Sequence, residues 1–358
     1  MISKTPILDC VVIDRGGVVE NRHQVHAAVV DAQGRLLYAV GDPYRVTLAR
    51  STAKPAQALA ILETGAMDKF GFDDADLALI CSSHSSEEQH ISRVLSMMSK
   101  VGVGEKDLRC GGHPALSESV NRLWAKNDYT PTPSRSNCSG KHVGMLAGSK
   151  AAGAKLVGYH LPDHPMQLRV KRVIEQLSGL DADDVKWAID GCNLPAPALP
   201  LINLAQLCVS FPSAADVIHQ NTMASKRTHR VARIFHAMTQ FPELVGGEDR
   251  FCTTLMTAFQ GDLFGKTGAE GCYTIGIRAS EETRQLGADG AIAIAVKIED
   301  GNLSALHSAV IEILAQLHIG TPATRKEMGH FHYPKLLNTT GVVTGQVSHL
   351  FQVRSALE

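Results

Sequence analysis

Ser51 and Lys54 stand three residues apart in Arg50-Ser51-Thr52-Ala53-Lys54-Pro55. If this segment opens a helix carrying Ala56, Leu59, Ala60 and Leu62, positions three apart share a face and the hydroxyl lies near the amine. Pro55 agrees, because its missing N–H falls in a first turn whose donors have no intrahelical partner. The chemistry on offer is nucleophilic: a serine attacks a carbonyl carbon once a neutral lysine takes its proton. Bringing a lysine down roughly three units from its ordinary pKa of about 10.4 costs about 4 kcal/mol, so it needs a prepared site. Alone, the spacing equally describes a helix cap followed by a solvated lysine.

Lys266-Thr267-Gly268 shifts that balance. It immediately precedes Cys272 to Arg278, which alternates as a strand should, and this order is similar to the one in which penicillin-binding proteins and class A β-lactamases carry their K-T-G. In that arrangement the second lysine lies across a cleft from the nucleophile, and a loop serine between them relays protons. Ser83, in Cys81-Ser82-Ser83-His84-Ser85, is assigned the relay. Ser82, Ser85 and Ser136 compete for it, and the plain reading of each is a hydroxyl bonded to backbone.

A different chemistry is written in Ser136-Asn137-Cys138-Ser139-Gly140-Lys141-His142 and in Asp190-Gly191-Cys192-Asn193-Leu194-Pro195. Cys138 precedes an expected helix, Lys141 to Ala147, whose N-terminal dipole together with Lys141 favours a thiolate. Two thiolates and a third ligand would make a tetrahedral zinc site with one open position. Cys-x-x-Lys is nevertheless an unusual ligand pair, and buried cysteines are commonly inert core residues. His160, His164, His330 and His332 receive no role, since the chain has no H-E-x-x-H. It has no G-x-x-x-x-G-K-[ST] phosphate loop either, so nucleotide binding is not expected.

These residues need a frame. Asp9 to Val19, Gln24 to Asp31 and Arg35 to Val40 alternate and break at turn signals, predicting two or three antiparallel strands; Cys272 to Arg278 and Ala288 to Ile298 predict a second pair returning to the same sheet. The middle reads as helix. Leu168, Val170, Val173, Ile174 and Leu177 recur at helical spacing up to Gly179, and Ser85 with Glu88 has capping-box spacing ahead of Ile91, Val94, Leu95 and Met98. A last helix is expected over Leu303 to Leu317, closed by Gly320 and Pro322. The expected fold class is therefore α/β, an antiparallel sheet flanked by helices with a helical region. It forms one continuous catalytic domain over 1–358, and the residues after about 320 extend it without adding motifs.

Composition limits the partners. The chain has 358 residues, 44% of them hydrophobic, and 35 basic against 36 acidic side chains. That is enough apolar material for a sizeable core and too little net positive charge for nucleic acid or an anionic membrane surface, so a small-molecule substrate is expected. Residues 1–20 do not read as a signal peptide, and no run of eighteen apolar residues predicts a membrane span. The eight cysteines lack any C-x-x-C pairing, which with the absent leader gives an expected cytoplasmic location.

Taken together, Arg50-Ser-Thr-Ala-Lys-Pro55, Cys81-Ser-Ser-His-Ser85, Ser134-Arg-Ser-Asn-Cys-Ser-Gly-Lys-His142, Asp190-Gly-Cys-Asn-Leu-Pro195 and Gly265-Lys-Thr-Gly-Ala-Glu-Gly271 resemble the asparaginase II family of the rhizobial type. The resemblance runs over nearly the whole chain. It implies the fold of serine β-lactamases and glutaminases, hydrolysis of L-asparagine to L-aspartate and ammonia, and a homodimer. It also implies two serine–lysine tandems, Ser51 with Lys54 and Ser83 with Lys266, and an auxiliary zinc held by Cys138, Lys141 and Cys192. Arg50, Asn137, His142, Asp190, Thr267 and Gly268 are the expected substrate-binding residues. Three alternatives stay open: a glutaminase, a penicillin-recognising peptidase or esterase, and a non-catalytic amino-acid-binding protein.

Overall fold

The computed structural model describes residues 9–220 and 223–356. The leader expectation over 1–20 therefore falls in part, at residues 1–8, outside the described residues. The described residues form twelve strands: β1 Cys10–Arg15, β2 Val18–Asp31, β3 Leu36–Val40, β4 Val46–Leu48, β5 Lys186–Ile189, β6 Pro195–Pro200, β7 Leu263–Gly268, β8 Cys272–Ile277, β9 Ile292–Ile298, β10 Leu336–Leu337, β11 Val343–Leu350 and β12 Arg354–Ser355. Nine of them form one antiparallel sheet in the order β10-β11-β1-β2-β9-β8-β7, with β3 pairing β2 and β12; β4-β6-β5 form a small second sheet. The long β2 serves as its spine. Its first half pairs with β1, and its second half pairs with β9 on one side and β3 on the other.

Every residue of β8 and β9 is buried, so both faces of the sheet centre are covered. The helices Leu201–Gln220 and Leu303–Gln316 both pack against these two strands. Leu201–Gln220 is long and apolar enough to cross a membrane, yet it lies against β2, β8, β9 and two neighbouring helices with most of its apolar side chains in the core, which accounts for its composition. A helical region stands beside the sheet. Its centre is the helix Ser139–Ala151, buried from Ser139 to Ser149 and packed by the helices Lys54–Leu62, Asp74–Ile80 and Glu88–Val101. A Cβ on Gly140 would meet the Leu79 carbonyl oxygen at 2.4 Å, so this helix approaches its neighbour only with glycine there.

The expected antiparallel sheet flanked by helices is what the chain forms, and four local expectations change. Lys266-Thr267-Gly268 does not precede its strand: it lies on β7, the sheet's last strand, paired with β8 from Leu263↔Ile277 to Gly268↔Cys272. The helix after the Ser83 loop starts at Glu88, with Glu87 before it. The Glu87 N–H donates to His90 Nδ1 at 3.2 Å, while Ser85 Oγ donates to the Gly246 carbonyl at 3.0 Å, so Ser85 is not the cap. The helix around Lys141 begins earlier, at Ser139. Leu303–Gln316 is followed by two short helices, Pro322–Glu327 and Gly329–His332, and then by β11, which pairs with β1 from Cys10↔Leu350 to Arg15↔Gly345.

Candidate active site

A 3-10 turn, Arg50–Ala53, runs directly into the helix Lys54–Leu62, with Pro55 in its first turn as the sequence predicts. Arg50 adopts a φ of 51°, a left-handed conformation costly for a side chain of this size, and it turns the chain sharply just before Ser51. The Arg50 Nε donates to Asp190 Oδ1 at 2.6 Å, and the Asp190 carboxylate also accepts from the Gly191 N–H at 2.8 Å. Gly268 lets β7 come against this turn. A Cβ there would meet the Ala49 carbonyl oxygen at 2.8 Å.

Three chain segments meet at one hydroxyl. Lys54 Nζ is 3.0 Å from Ser83 Oγ and also donates to the Ser82 carbonyl; Lys266 Nζ is 2.8 Å from the same Ser83 Oγ and 2.8 Å from the Thr267 carbonyl. Ser83 is held by its N–H, which donates to the Val245 carbonyl at 3.0 Å. Both lysines are buried. An enclosed ammonium must find an anion or lose its proton. Burial first, and then the positive charge of Lys54, bring the Lys266 pKa down to about 7. Among the described hydrogen bonds none joins Ser51 to Lys54; the contact made by Lys54 is with the other serine.

Ser51 faces a cleft of about 280 Å³, lined also by Arg50, Asn137, Cys138, Asp190, Gly191, Cys192 and Ala269. Of the residues singled out from sequence, Arg50, Ser51, Asn137, Cys138, Asp190 and Cys192 therefore line one recess, and Lys54, Ser83 and Lys266 form a contiguous bonded group. Thr267 is turned elsewhere, its Oγ1 lying 3.1 Å from Cys252 Sγ while its N–H donates to the same sulfur at 3.2 Å. His142 is fully buried. Tyr159 Oη accepts from the Arg109 N–H at 2.9 Å and lies 2.6 Å from His142 Nδ1, while His142 Nε2 has no protein partner among the described residues. Cys110, His113 and Ser136 also line the cleft. His113 Nε2 accepts from the Asn137 N–H at 3.1 Å, a role that no sequence spacing announces.

Cys138, Lys141 and Cys192 come together as well. Lys141 Nζ donates to Cys192 Sγ at 3.1 Å, and the Cys138 thiol beside them donates to Asn137 Oδ1 at 2.9 Å. The neighbouring Cys138 thiol, followed by the charge of Lys141 acting against burial, lowers the Cys192 thiol to about 5; the Cys192 sulfur and burial push Cys138 up to about 12. Burial opposes the Lys141 charge, but the two sulfurs and Asp190 outweigh it and hold the ammonium above its ordinary range. Asp190 is likewise held down by Lys141 and Arg50 against its burial. The pattern is that of one thiolate and one ammonium enclosed as a pair, beside a second thiol.

A serine, two buried lysines and a charged cleft wall, brought together where an edge strand meets a helical region, are the equipment for attacking an amide and protonating the amine that leaves. That describes an amidohydrolase. The chain belongs to the L-asparaginase II family, whose family model matches residues 11–349, and membership implies asparaginase activity. No curated protein matches the sequence.

Proposed function

We propose that the chain hydrolyses L-asparagine to L-aspartate and ammonia through an acyl-enzyme on Ser51. The observation that carries the reading is the Lys54–Ser83–Lys266 bridge standing behind a cleft that Ser51 lines. Shifting one proton along that bridge leaves Lys54 neutral and Lys266 charged. Lys54 then takes the Ser51 proton as Oγ attacks the side-chain amide carbon, and the bridge delivers a proton to departing ammonia. Water repeats the sequence on the ester and frees aspartate. The N–H groups of Ser51 and Ala269 are the proposed oxyanion donors, worth a few kcal/mol once charge develops. The Arg50–Asp190 pair offers both signs of charge to a zwitterionic amino acid and Asn137 lines the same cleft, while His142 and Gly268 support it from behind and Thr267 is engaged by Cys252.

A second reading has its own support: Ser83 Oγ touches both lysines, which makes it the hydroxyl best placed to lose a proton. Intact-mass trapping decides between them. Ser51→Ala should lose both ammonia release and the acyl adduct, whereas an adduct persisting in Ser51→Ala and vanishing in Ser83→Ala would make Ser83 the nucleophile. Running the assay with L-Asn, L-Gln, their D-isomers and a labelled β-lactam separates asparaginase from glutaminase and from penicillin-recognising enzymes. Tight asparagine binding without ammonia would favour a binding protein.

Zinc belongs to the same proposal. Two thiols and an amine buried together, with one thiol already ionised, fit a borderline-soft divalent cation. Cys138, Cys192 and Lys141 would hold it, and when bound it would supply a positive centre for holding the substrate. Asp190, whose Oδ2 lies 3.7 Å from Cys192 Sγ, would orient that ligand, with His142 as the second candidate for such a role. A reducing, cytoplasmic setting is supported by eight buried, unpaired cysteines. The homodimer is supported by exposed Val18, Val19, Leu337, Val342 and Val343 gathered at one end of the sheet around β1, β10 and β11. Sedimentation velocity of Val18→Glu with Val343→Glu against the parent chain tests this.

A further inference from the structure

Far along the chain from the serine–lysine group, Glu312, His332 and His349 converge from three elements: the helix Leu303–Gln316, the short helix Gly329–His332 and β11. Their ligand atoms all lie within 4.8 Å of one another. His332 Nε2 is 2.8 Å from Glu312 Oε2, and His349 Nδ1 is 3.5 Å from the same oxygen. Ligand atoms around a tetrahedral zinc with bonds of about 2.0–2.1 Å stand about 3.3 Å apart, so these separations bracket what such a centre needs.

The surrounding hydrogen bonds set the rings for this. Ser308 Oγ is 2.5 Å from the His332 carbonyl and 2.8 Å from His349 Nε2. A carbonyl only accepts, so the one hydroxyl proton goes to it, and Ser308 must accept from His349 Nε2–H. That fixes the neutral His349 tautomer with the Nδ1 lone pair turned toward a carboxylate oxygen. Gln316 Nε2 donates to the other oxygen, Glu312 Oε1, at 2.9 Å and holds the carboxylate in place. Metal-bound histidines are oriented in the same way, by a hydrogen bond from the ring nitrogen that does not coordinate. Phe351 and Tyr333 pack on the His349 ring, and Tyr333 also packs on His332.

We infer that Glu312 Oε2, His332 Nε2 and His349 Nδ1 form a second divalent transition-metal site, separate from Cys138, Lys141 and Cys192, which clips the C-terminal segment onto the last long helix. Two imidazoles and one carboxylate suit zinc, cobalt or nickel rather than calcium or magnesium. Binding displaces the His332 Nε2 proton to solvent and replaces the hydrogen bond it made to Glu312. The ion then joins the helix Leu303–Gln316 to β11 and so secures the strand that covers β1.

The test uses the full chain with zinc as the probe. With Cys138→Ser and Cys192→Ser removing the thiol site, calorimetry should find one zinc equivalent, and adding Glu312→Gln should abolish it. In the unmodified chain, Glu312→Gln alone should lower total bound zinc by one equivalent. It should also reduce the zinc-induced rise in Tm, and abolish it in the Cys138→Ser, Cys192→Ser background, while leaving ammonia release of the otherwise unmodified chain within about twofold, since no part of the triad lines the cleft. A crystal grown with zinc should give an anomalous peak among the three atoms. Zinc stoichiometry unchanged by Glu312→Gln, or a zinc-soaked crystal without that peak, overturns the inference.

Discussion

Lys141 and Lys266 are both enclosed in protein, and they resolve the cost of a buried ammonium in opposite ways. Lys141 has a thiolate beside it and keeps its proton; Lys266 has a serine hydroxyl and a carbonyl, and its pKa falls to about 7. Activity should therefore rise with pH through a single ionisation near neutrality, the step at which Lys266 becomes able to accept a proton. A pH profile of kcat/KM checks this, and a flat profile from pH 5 to 9 would remove Lys266 from the relay. The same shift bears on stability. The unfolded lysine holds its proton up to about pH 10.5 and the folded one only to about 7, so between these values the unfolded state binds more protons and stability rises with pH. Below pH 7 both states are protonated and the full penalty is present. Lys266→Met should thus abolish turnover while stabilising the chain at pH 6 by about 1–4 kcal/mol, read as a raised denaturation midpoint. At the thiols, zinc requires both sulfurs ionised and Lys141 neutral, so its binding should release protons and weaken as pH falls. Chelation should raise KM and largely spare kcat. Loss of all turnover, restored by zinc, would overturn the auxiliary role.

Three elements have to arrive together for this chemistry: the turn Arg50–Ala53, the Ser83 loop and β7. Gly268 marks the tightest of these meetings, between β7 and the backbone of Ala49. Gly268→Ala puts a methyl 2.8 Å from that carbonyl oxygen, which forces the strand and Lys266 outward by a few tenths of an ångström. A misplacement of about 1 Å can cost about 100-fold in rate, so a shift of a few tenths should lower kcat about 3- to 10-fold with Tm changed by only a few degrees. Equal, large losses of both would mean that the glycine serves folding and not the site. The sequence showed the glycine as part of a motif but not its reason, because a close approach between segments more than two hundred residues apart leaves no local periodicity. It placed β8 and β9 by reading Cys272 to Arg278 and Ala288 to Ile298 as alternating strands, although both faces of each are buried. It misplaced the cap at Ser85, because Ser85 and Glu88 satisfy the spacing rule while Gly246, distant in sequence, takes the hydroxyl. His113 and Thr267 behaved likewise: their partners, Asn137 and Cys252, come from elsewhere in the chain.

At the scale of the whole molecule, the segment after Gly320 carries no catalytic motif, yet it is tied into the sheet at both ends. β11 lies along the whole of β1, β12 pairs β3, and Arg354 Nη2 donates to Asp9 Oδ1 at 2.7 Å across the first and last described strands. This strand is hard to read because, between β1 and the two-residue β10, it is a half-exposed run of Thr, Gly, Gln, Ser and His with little alternation; only Val347 is buried along it. Met328, Val347 and Phe351 nevertheless belong to the hydrophobic core. Burying side chains of this size contributes about 1.5–3 kcal/mol each. Their combined loss is comparable with the 5–15 kcal/mol that typically separates a folded chain from its unfolded state. Ending the chain after Ile319 removes all three and leaves β1 with an unpaired edge, an invitation to intermolecular strand pairing. The shortened chain should lose its cooperative thermal transition and collect in the insoluble fraction. Supplying the missing segment as a separate peptide should recover part of the soluble, folded material if strand pairing is the cause. A shortened chain that stayed soluble, melted cooperatively within a few degrees of the parent and released ammonia would show instead that the sheet's first strand stands without its partner.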